Sequence, residues 1–222
     1  MTTVSDIERF IHDAQNKVII AGYGSLLSQY SRETYSQILS TSLAVDVKGW
    51  QRGWITRSTT EHQTYAGAVP DSNSRLCAQL IALQFNEKFE KREKDYRFSR
   101  LQLSDIDLNE IQAKHQNSQA WEALLILLDS VPIYICETLD AKTSSTDFPV
   151  NYSYINTCIQ GCYEKRANAG IASFFEHTQG WDSGVFNDDA TKALYPRATI
   201  SLNPPWDTTS LIENAIKQSL KL

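Results

Sequence analysis

Apolar residues in the first half of the chain come in short runs separated by polar and glycine-containing breaks, a pattern that predicts closely spaced β-strands. Residues 18–21 are all apolar, with no polar residue at alternate positions, so this strand is expected to be buried on both faces. A capping box at Ser5 and Glu8 predicts an amphipathic helix before it. A second helix is predicted at residues 32–39, and further strands at residues 43–50, 53–57, 64–69 and 76–85.

The second half of the chain changes to helical periodicity near residue 152. Before that point the pattern predicts one or two helical turns at residues 86–92, a loop or irregular insertion at 105–119, and strands at 96–103, 121–128 and 133–136. After it, helices are predicted at residues 154–167, 171–178, 188–194 and 208–220.

So many short strands imply a closed or strongly curled sheet. We therefore predict an α+β fold in which a curled mixed β-sheet or small β-barrel is flanked by helices. A chain of 222 residues is long enough for one well-cored domain and short for two. A single domain is expected over residues 1–222, with a core at about 17–165 and a helical C-terminal extension at 166–222.

The composition is globular, with 41% hydrophobic and 21% charged residues. A net charge of -5 and a pI near 5.4 favour neither nucleic acid nor an anionic membrane as partner. No secretory signal and no membrane-spanning run is recognised, so the protein is expected to be cytoplasmic and its cysteines reduced. Cys158 and Cys162 are four apart on a predicted helix, but without a second pair or a nearby histidine we interpret them as small buried hydrophobes and predict no metal site.

The strand at 18–21 runs directly into Gly22, Tyr23, Gly24, Ser25 and Leu26. The two glycines allow the backbone to turn and to approach a ligand closely. Bare amide N–H groups beside the Ser25 hydroxyl make a small anion cradle. A plain tight turn is the structural alternative for a lone G-x-G.

Three later segments extend this pattern in order and spacing. They are a V-x-G-W-x-R segment at residues 47–52, an R-E-x-x-Y segment at residues 92–96, and a tyrosine-bearing helix beginning near Tyr152 and Tyr154. Together with the Tyr-Gly-Ser-Leu loop they resemble the γ-glutamyl cyclotransferase-like family, which includes the ChaC-type proteins. The matching segments span roughly residues 18 to 165.

The resemblance implies an enzyme that cyclises a γ-glutamyl group to 5-oxoproline and releases an amine or peptide. Nucleophile and electrophile lie in one molecule, so no cofactor or metal is required. The expected partner is a small γ-glutamyl compound, and Glu93 is implied to be the general acid/base. The implied substrate-binding residues are Tyr23, Gly24, Ser25, Leu26, Arg52, Tyr96 and Tyr154, with Tyr152 as a competitor for the last of these.

Several alternatives accompany these assignments. Glu93 lies in a charge run that by itself is typical of a solvated surface. Ser25 can be considered as a covalent nucleophile, but the G-x-S-x-G elbow and a histidine in a base-like motif are missing from the sequence. A binding module that holds a small carboxylate ligand, and a related amide or ester hydrolase or acyl transferase, also fit. Asp95 and Ala78 depart from the family pattern, where glycine is usual.

Overall fold

The computed structural model describes residues 2–199 and 205–220. Its α-helices are Val4–Asp13 (α1), Gln29–Ser36 (α2), Glu87–Arg92 (α3), Asn109–His115 (α4), Gln119–Ser130 (α5), Tyr152–Glu176 (α6) and Thr208–Ser219 (α7). Its strands are Val18–Gly22 (β1), Ser42–Ser58 (β2), Gln63–Leu83 (β3), Tyr96–Leu101 (β4), Ile106–Asp107 (β5), Ile133–Thr138 (β6), Val150–Asn151 (β7), Thr178–Gln179 (β8) and Phe186–Asn187 (β9). The predicted α+β class with a curled mixed sheet and flanking helices is confirmed.

The main sheet has the strand order β4-β6-β1-β3-β2-β5, with β8 added to β2. Strand β1 lies at its centre, antiparallel to β3 and parallel to β6. Ile19, Ile20 and Ala21 have no exposed surface, which confirms a strand buried on both faces. The chain therefore leaves β1 inside the molecule, where the glycine-containing loop begins.

Strands β2 and β3 form one long hairpin, whereas the sequence pattern predicted four separate strands. The register shifts between Lys48 and Trp50, where Gly49 adopts a φ of 78°. The glycine that suggested a turn therefore occupies a β-bulge, and the strand continues beyond it. Residues 71–74 lie opposite this bulge without a partner in β2, so the turn-forming residues there also interrupt the pairing without ending the strand.

Three predicted elements are wrong. Residues 121–128 belong to helix α5, since Ser118 caps it by accepting a hydrogen bond from the Trp121 N–H at 3.2 Å. Trp121, Leu124 and Leu128 are buried at helical spacing in α5, which packs against α1. A short apolar run fits a buried helix as well as a strand, which explains the error at residues 121–128.

The other two wrong predictions concern polar segments. Residues 105–119, predicted as a loop, contain β5 and α4, and residues 188–194, predicted as a helix, form no regular helix.

The cap of the first helix also differs from the prediction. Thr3 is the N-cap of α1, and its hydroxyl accepts a hydrogen bond from the Asp6 N–H while Asp6 accepts from the Thr3 N–H. The capping box therefore starts two residues before Ser5 and uses Asp6 in place of Glu8.

Helix α6 lies against β3 and against the 3₁₀ turn Ser25–Leu27 that follows β1. It is interrupted at Ala167, whose φ of 48° and ψ of -140° are not helical, so the predicted separation into two helices is largely correct. Part of the predicted C-terminal extension, at residues 200–204 and 221–222, lies outside the described residues. No helix in the described part of the chain is long and apolar enough to span a membrane.

Candidate active site

A cleft of about 440 Å³ opens where the end of β1, helix α3 and the segment after β9 meet. A smaller pocket of about 30 Å³ lies at its inner end, between the Tyr-Gly-Ser-Leu loop and β6. Ser25, Glu93, Tyr96 and Tyr154 line both spaces. The structure thus brings most of the predicted site residues together around one concave surface.

Glu93 lies at the C-terminus of α3, with its N–H bonded to the Phe89 carbonyl at 3.0 Å and its own carbonyl accepting from Tyr96 at 3.1 Å. Phe89 is fully buried and anchors the helix, so the residue one turn later faces inward. Glu93 is 8% exposed, while Lys91 and Lys94 beside it are exposed. Its position in the charge run therefore does not make it a solvated side chain.

Burial raises the pKa of Glu93 above its ordinary value. The positive charges of Arg92, whose Nε lies 3.4 Å from the Glu93 carboxylate, and Arg197 oppose this shift, and the charge of Asp95 adds to it. The Cys136 thiol, which hydrogen-bonds to the carboxylate, lowers the pKa as well. The net result is a carboxyl that holds its proton at higher pH than a surface glutamate does, as a group that both accepts and returns a proton requires.

The raised pKa of Glu93 predicts a stability difference between the wild-type protein and Glu93→Gln. The folded state binds this proton more tightly than the unfolded state, so the contribution of Glu93 to wild-type stability is fully present below the ordinary pKa of 4.5 and is lost as pH rises through the folded-state pKa. Glu93→Gln carries no titrating group and escapes that loss. We expect it to melt at a higher temperature than wild type at pH 7 and at nearly the same temperature at pH 4, measured by thermal unfolding across that range. A variant less stable at pH 7 would contradict the raised pKa.

The Tyr-Gly-Ser-Leu loop needs its glycine, Gly24, for space. Gly24 has a φ of -108°, so no left-handed backbone is required there. A Cβ on Gly24 would lie 2.8 Å from the Tyr154 hydroxyl, which is closer than real contacts allow. The N–H groups of Ser25 and Leu26 make no hydrogen bond to any described residue, and both residues line the inner pocket.

Three buried arginines hold this loop from the side opposite the pocket or at its edge. Arg52 donates to the Tyr23 carbonyl at 3.0 Å, and Arg32 donates to the carbonyls of Leu26 and Leu27 at 2.7 and 2.8 Å. Arg92 donates to the Ser25 hydroxyl at 2.8 Å. Because the guanidinium groups of Arg32 and Arg52 hydrogen-bond to carbonyl oxygens, they fix the loop without occupying its amide N–H groups. The N–H groups of Ser25 and Leu26 therefore remain available to a ligand.

Arg52 is therefore not placed as the sequence predicted. It was expected to offer a cation to a substrate carboxylate, but it has no exposed surface and lines neither the cleft nor the inner pocket. It lies on β2, the second strand from the sheet edge, where its guanidinium also contacts Thr178 and Phe174. Its position supports a role in holding the loop.

Tyr96 and Tyr154 contact the same residue of β3. The Tyr96 hydroxyl donates to the Ala66 carbonyl at 2.8 Å, and the Tyr154 hydroxyl accepts from the Ala66 N–H at 3.0 Å. Burial raises the pKa of both tyrosines well above the usual value, so both hydroxyls stay protonated. Tyr152 lines neither space, which separates it from Tyr154.

Tyr23 and Leu26 contribute through the inner pocket. The Tyr23 hydroxyl donates to the Cys136 carbonyl and ties the end of β1 to β6. Both side chains are almost completely buried. Their polar contribution to a ligand is therefore restricted to the backbone.

One wall of the cleft was not recognised as a site from the sequence. Arg197 forms a two-pronged ion pair with Glu61, with nitrogen–oxygen distances of 2.8 and 3.1 Å. Glu61 also accepts from the Tyr65 hydroxyl, and the Tyr65 ring packs against Tyr195. Tyr195, Pro196 and Arg197 lie in the C-terminal extension, and nothing in local spacing connects them to Glu61.

The two departures from the family pattern are accommodated. Asn16, Gln37, His62 and Ala167 are the described non-glycine residues with positive φ, so Asp95 does not need the left-handed conformation. Ala78 is buried within β3, paired with Val45 of β2.

The structure gives Ser25 no histidine base. No histidine is among the described residues that line the cleft or the inner pocket. The Ser25 hydroxyl is instead bound by Arg92, a permanent cation that cannot accept its proton. A serine nucleophile activated by histidine is thus not supported by this arrangement.

Comparison with known proteins identifies the fold. No protein-family model and no curated protein matches the sequence. Solved structures do match: the chain has the fold of the γ-glutamyl cyclotransferases, which confirms at the level of the fold the family resemblance seen in the sequence. One match, described as a γ-glutamyl cyclotransferase, is 9% identical with a TM-score of 0.52, over 91% of this chain and 99% of the other. YkqA from Bacillus subtilis is 12% identical with a TM-score of 0.51, over 82% of this chain and 60% of its own.

Proposed function

We propose that the chain is a γ-glutamyl cyclotransferase-like enzyme that converts a γ-glutamyl compound to 5-oxoproline and a free amine. The observation that carries this proposal is a buried glutamate, Glu93, with a raised pKa, facing the Tyr-Gly-Ser-Leu loop across a small pocket in a molecule of this fold. A perturbed carboxyl in a cleft is a typical mark of an acid/base site.

In the proposed reaction Glu93 takes a proton from the substrate α-ammonium. The freed amine attacks the γ-carbonyl carbon of the same molecule and closes a five-membered lactam. Glu93 then returns the proton to the leaving nitrogen as the carbon–nitrogen bond breaks, and the second proton lost by the lactam nitrogen is taken up by the released amine, which leaves as its ammonium ion. One carboxyl thus serves both the proton removal and the proton return. Holding the glutamyl chain folded supplies much of the acceleration, because the attack is intramolecular.

The loop is suited to the negative groups of this substrate. The free N–H groups of Ser25 and Leu26, with the Ser25 hydroxyl, can hold the α-carboxylate or the oxyanion that forms at the γ-carbonyl. Preorganised donors are effective here because Arg32 and Arg52 already fix the loop carbonyls. Tyr96 and Tyr154 form the neutral walls that exclude water.

The mouth of the cleft favours an anionic leaving group. Lys88, Lys91 and Lys94 line it together with one acidic residue, Asp95, whereas Glu61 and Arg197 neutralise each other. We therefore expect γ-glutamyl compounds whose leaving amine carries a carboxylate to have a lower KM than those with a cationic leaving amine, by roughly tenfold at low salt. The difference should shrink as ionic strength rises. Steady-state kinetics on a matched pair at two salt concentrations measures it, and an equal or reversed preference would contradict the charge argument.

The experiment that tests the function is mass-spectrometric detection of products after incubation with glutathione, γ-glutamyl dipeptides and γ-glutamylamines. Production of 5-oxoproline supports cyclisation. Free glutamate in place of 5-oxoproline would indicate a hydrolase that uses the same site. Binding of a γ-glutamyl compound without any product would indicate a binding module.

A further inference from the structure

Cys77 and Cys162 form a buried thiol pair that the proposed reaction does not use. Cys77 lies on β3 and Cys162 on α6, both line one small pocket, and Cys162 has the largest influence on the pKa of the Cys77 thiol. Both guanidinium nitrogens of Arg52 approach the Cys77 sulfur, Nη1 at 3.5 Å and Nη2 at 3.4 Å. The other partners of Arg52 are the Thr178 hydroxyl, backbone carbonyls and the Phe174 ring, whose centroid lies 4.1 Å from the guanidinium carbon. All of these are neutral, so among the described partners the Cys77 sulfur is the one that can carry a negative charge.

These contacts make Cys77 chemically different from the other cysteines. The neighbouring Cys162 thiol and the charge of Arg52 lower the pKa of Cys77 to about 5, against the effect of burial. Burial raises the pKa of Cys158 to about 12 and that of Cys136 well above its usual range. The thiolate is the reactive form of cysteine, so Cys77 is the nucleophilic one of the four.

A narrow pocket gives a small molecule access to this pair. It has a volume of about 10 Å³ and is lined by both Cys77 and Cys162, but not by Cys158 or Cys136. A space of about 10–15 Å³ is the minimum for one water molecule, so hydrogen peroxide, which has two oxygen atoms, reaches the sulfurs when the pocket walls move slightly apart. Lys165 and Arg166 line the same pocket, but Arg166 is ion-paired with Asp46 and Glu110, and the charge of Asp46 raises the pKa of Cys77.

We propose that Cys77 and Cys162 are a site of reversible oxidation, converted to a disulfide by a small hydroperoxide such as hydrogen peroxide. The Cys77 thiolate attacks one peroxide oxygen, the oxygen–oxygen bond breaks, and the departing hydroxide takes a proton to become water. Cys162 then attacks the resulting sulfenic acid, the sulfur–oxygen bond breaks, and a second water leaves with the Cys162 proton. The two thiol groups supply the two electrons that reduce the peroxide.

Oxidation would reach the candidate active site through Arg52. The disulfide removes the negative charge that faces Arg52, and the same guanidinium holds the Tyr23 carbonyl at the start of the loop. The loop lies next to α6, which carries Cys162, so a new bond from α6 to β3 constrains it from that side too. This second step rests on the proposed function, whereas formation of the disulfide does not.

The disulfide is tested on the full-length reduced protein, titrated with hydrogen peroxide, alkylated in denaturant and mapped by mass spectrometry. We expect the count of free thiols to fall from four to two, with Cys77 bridged to Cys162. No lysine or arginine separates Cys158 from Cys162, so trypsin leaves both on one peptide and fragment spectra must assign the bridge. Cys158→Ser should keep the bridge and Cys162→Ser should lose it.

Each other outcome overturns the proposal. These outcomes are a bridge that persists in Cys162→Ser, a bridge to Cys158, oxidation confined to Cys136, or four free thiols after peroxide treatment. The disulfide map of the wild-type protein needs no variant, so the test remains even if a variant fails to fold.

If the fragment spectra show the bridge, turnover is compared before and after oxidation and again after dithiothreitol, with Cys158→Ser as matched control. Loss and recovery of turnover would establish the link to the site, and an oxidised protein with unchanged turnover would exclude it. A protein without any cyclotransferase activity would fail the proposed function while leaving the thiol map valid.

Discussion

Glu93→Gln is expected to lower turnover by roughly one hundred to ten thousand times, the usual contribution of a positioned acid/base group. Glutamine keeps the size of the side chain and its hydrogen bonding but can neither take the α-ammonium proton nor return it. Glu93 is buried beside Arg92 and Cys136, and no substitute carboxylate faces the inner pocket among the described residues. The variant is checked by measuring kcat from 5-oxoproline release and ligand affinity by calorimetry, which should change little.

The matched control is Glu90→Gln, the same substitution on the same helix. Glu90 is exposed in the first turn of α3 and does not line the cleft. Its turnover should therefore equal that of wild type. If both variants keep full activity, Glu93 is not the acid/base group, and if both lose it, the loss comes from the helix and not from the carboxyl.

The local parts of the site were predictable from the sequence. The glycine-flanked loop after a buried strand, and the glutamate three residues before a strand-leading tyrosine, lie within short segments whose order is preserved in the fold. The family resemblance that these segments carry placed Ser25, Glu93 and Tyr96 in one site, and all three line the inner pocket. Placement of Tyr154 in the same pocket also follows the family resemblance.

The parts that depend on distant packing were not predictable. Arg197 pairs with Glu61 across 136 positions, and no periodicity or composition links such residues. Arg52 was expected to offer a cation to a substrate carboxylate, yet tertiary contacts that no local pattern shows bury it behind the loop. The apolar run at 121–128 became a helix because it packs against α1, and its sequence alone fits both forms.

Gly161→Ala is expected to destabilise the protein and weaken the site, although glycine-to-alanine changes within helices usually stabilise by about 1 kcal/mol. A Cβ at Gly161 would lie 2.1 Å from the Leu27 carbonyl carbon and 2.3 Å from the Ser28 nitrogen. These are backbone atoms directly after the Tyr-Gly-Ser-Leu loop, so they cannot rotate away as a side chain does. The Gly161 carbonyl also accepts from Gln79, which in turn accepts from Arg32, so a shift of α6 disturbs the loop by a second route.

We expect a loss of roughly 3 kcal/mol, at the upper end of overpacking effects. For a chain of this size that corresponds to a melting temperature lower by about 6–12 °C, with a raised KM at temperatures where the variant is still folded. Gly53→Ala is the matched control, because a Cβ there would meet its nearest neighbour, on Ile55, at an ordinary 3.5 Å. Thermal unfolding and steady-state kinetics of the two variants decide the matter. If Gly161→Ala had the same melting temperature and the same kinetic constants as Gly53→Ala, close contact between α6 and the loop would not be what positions the site.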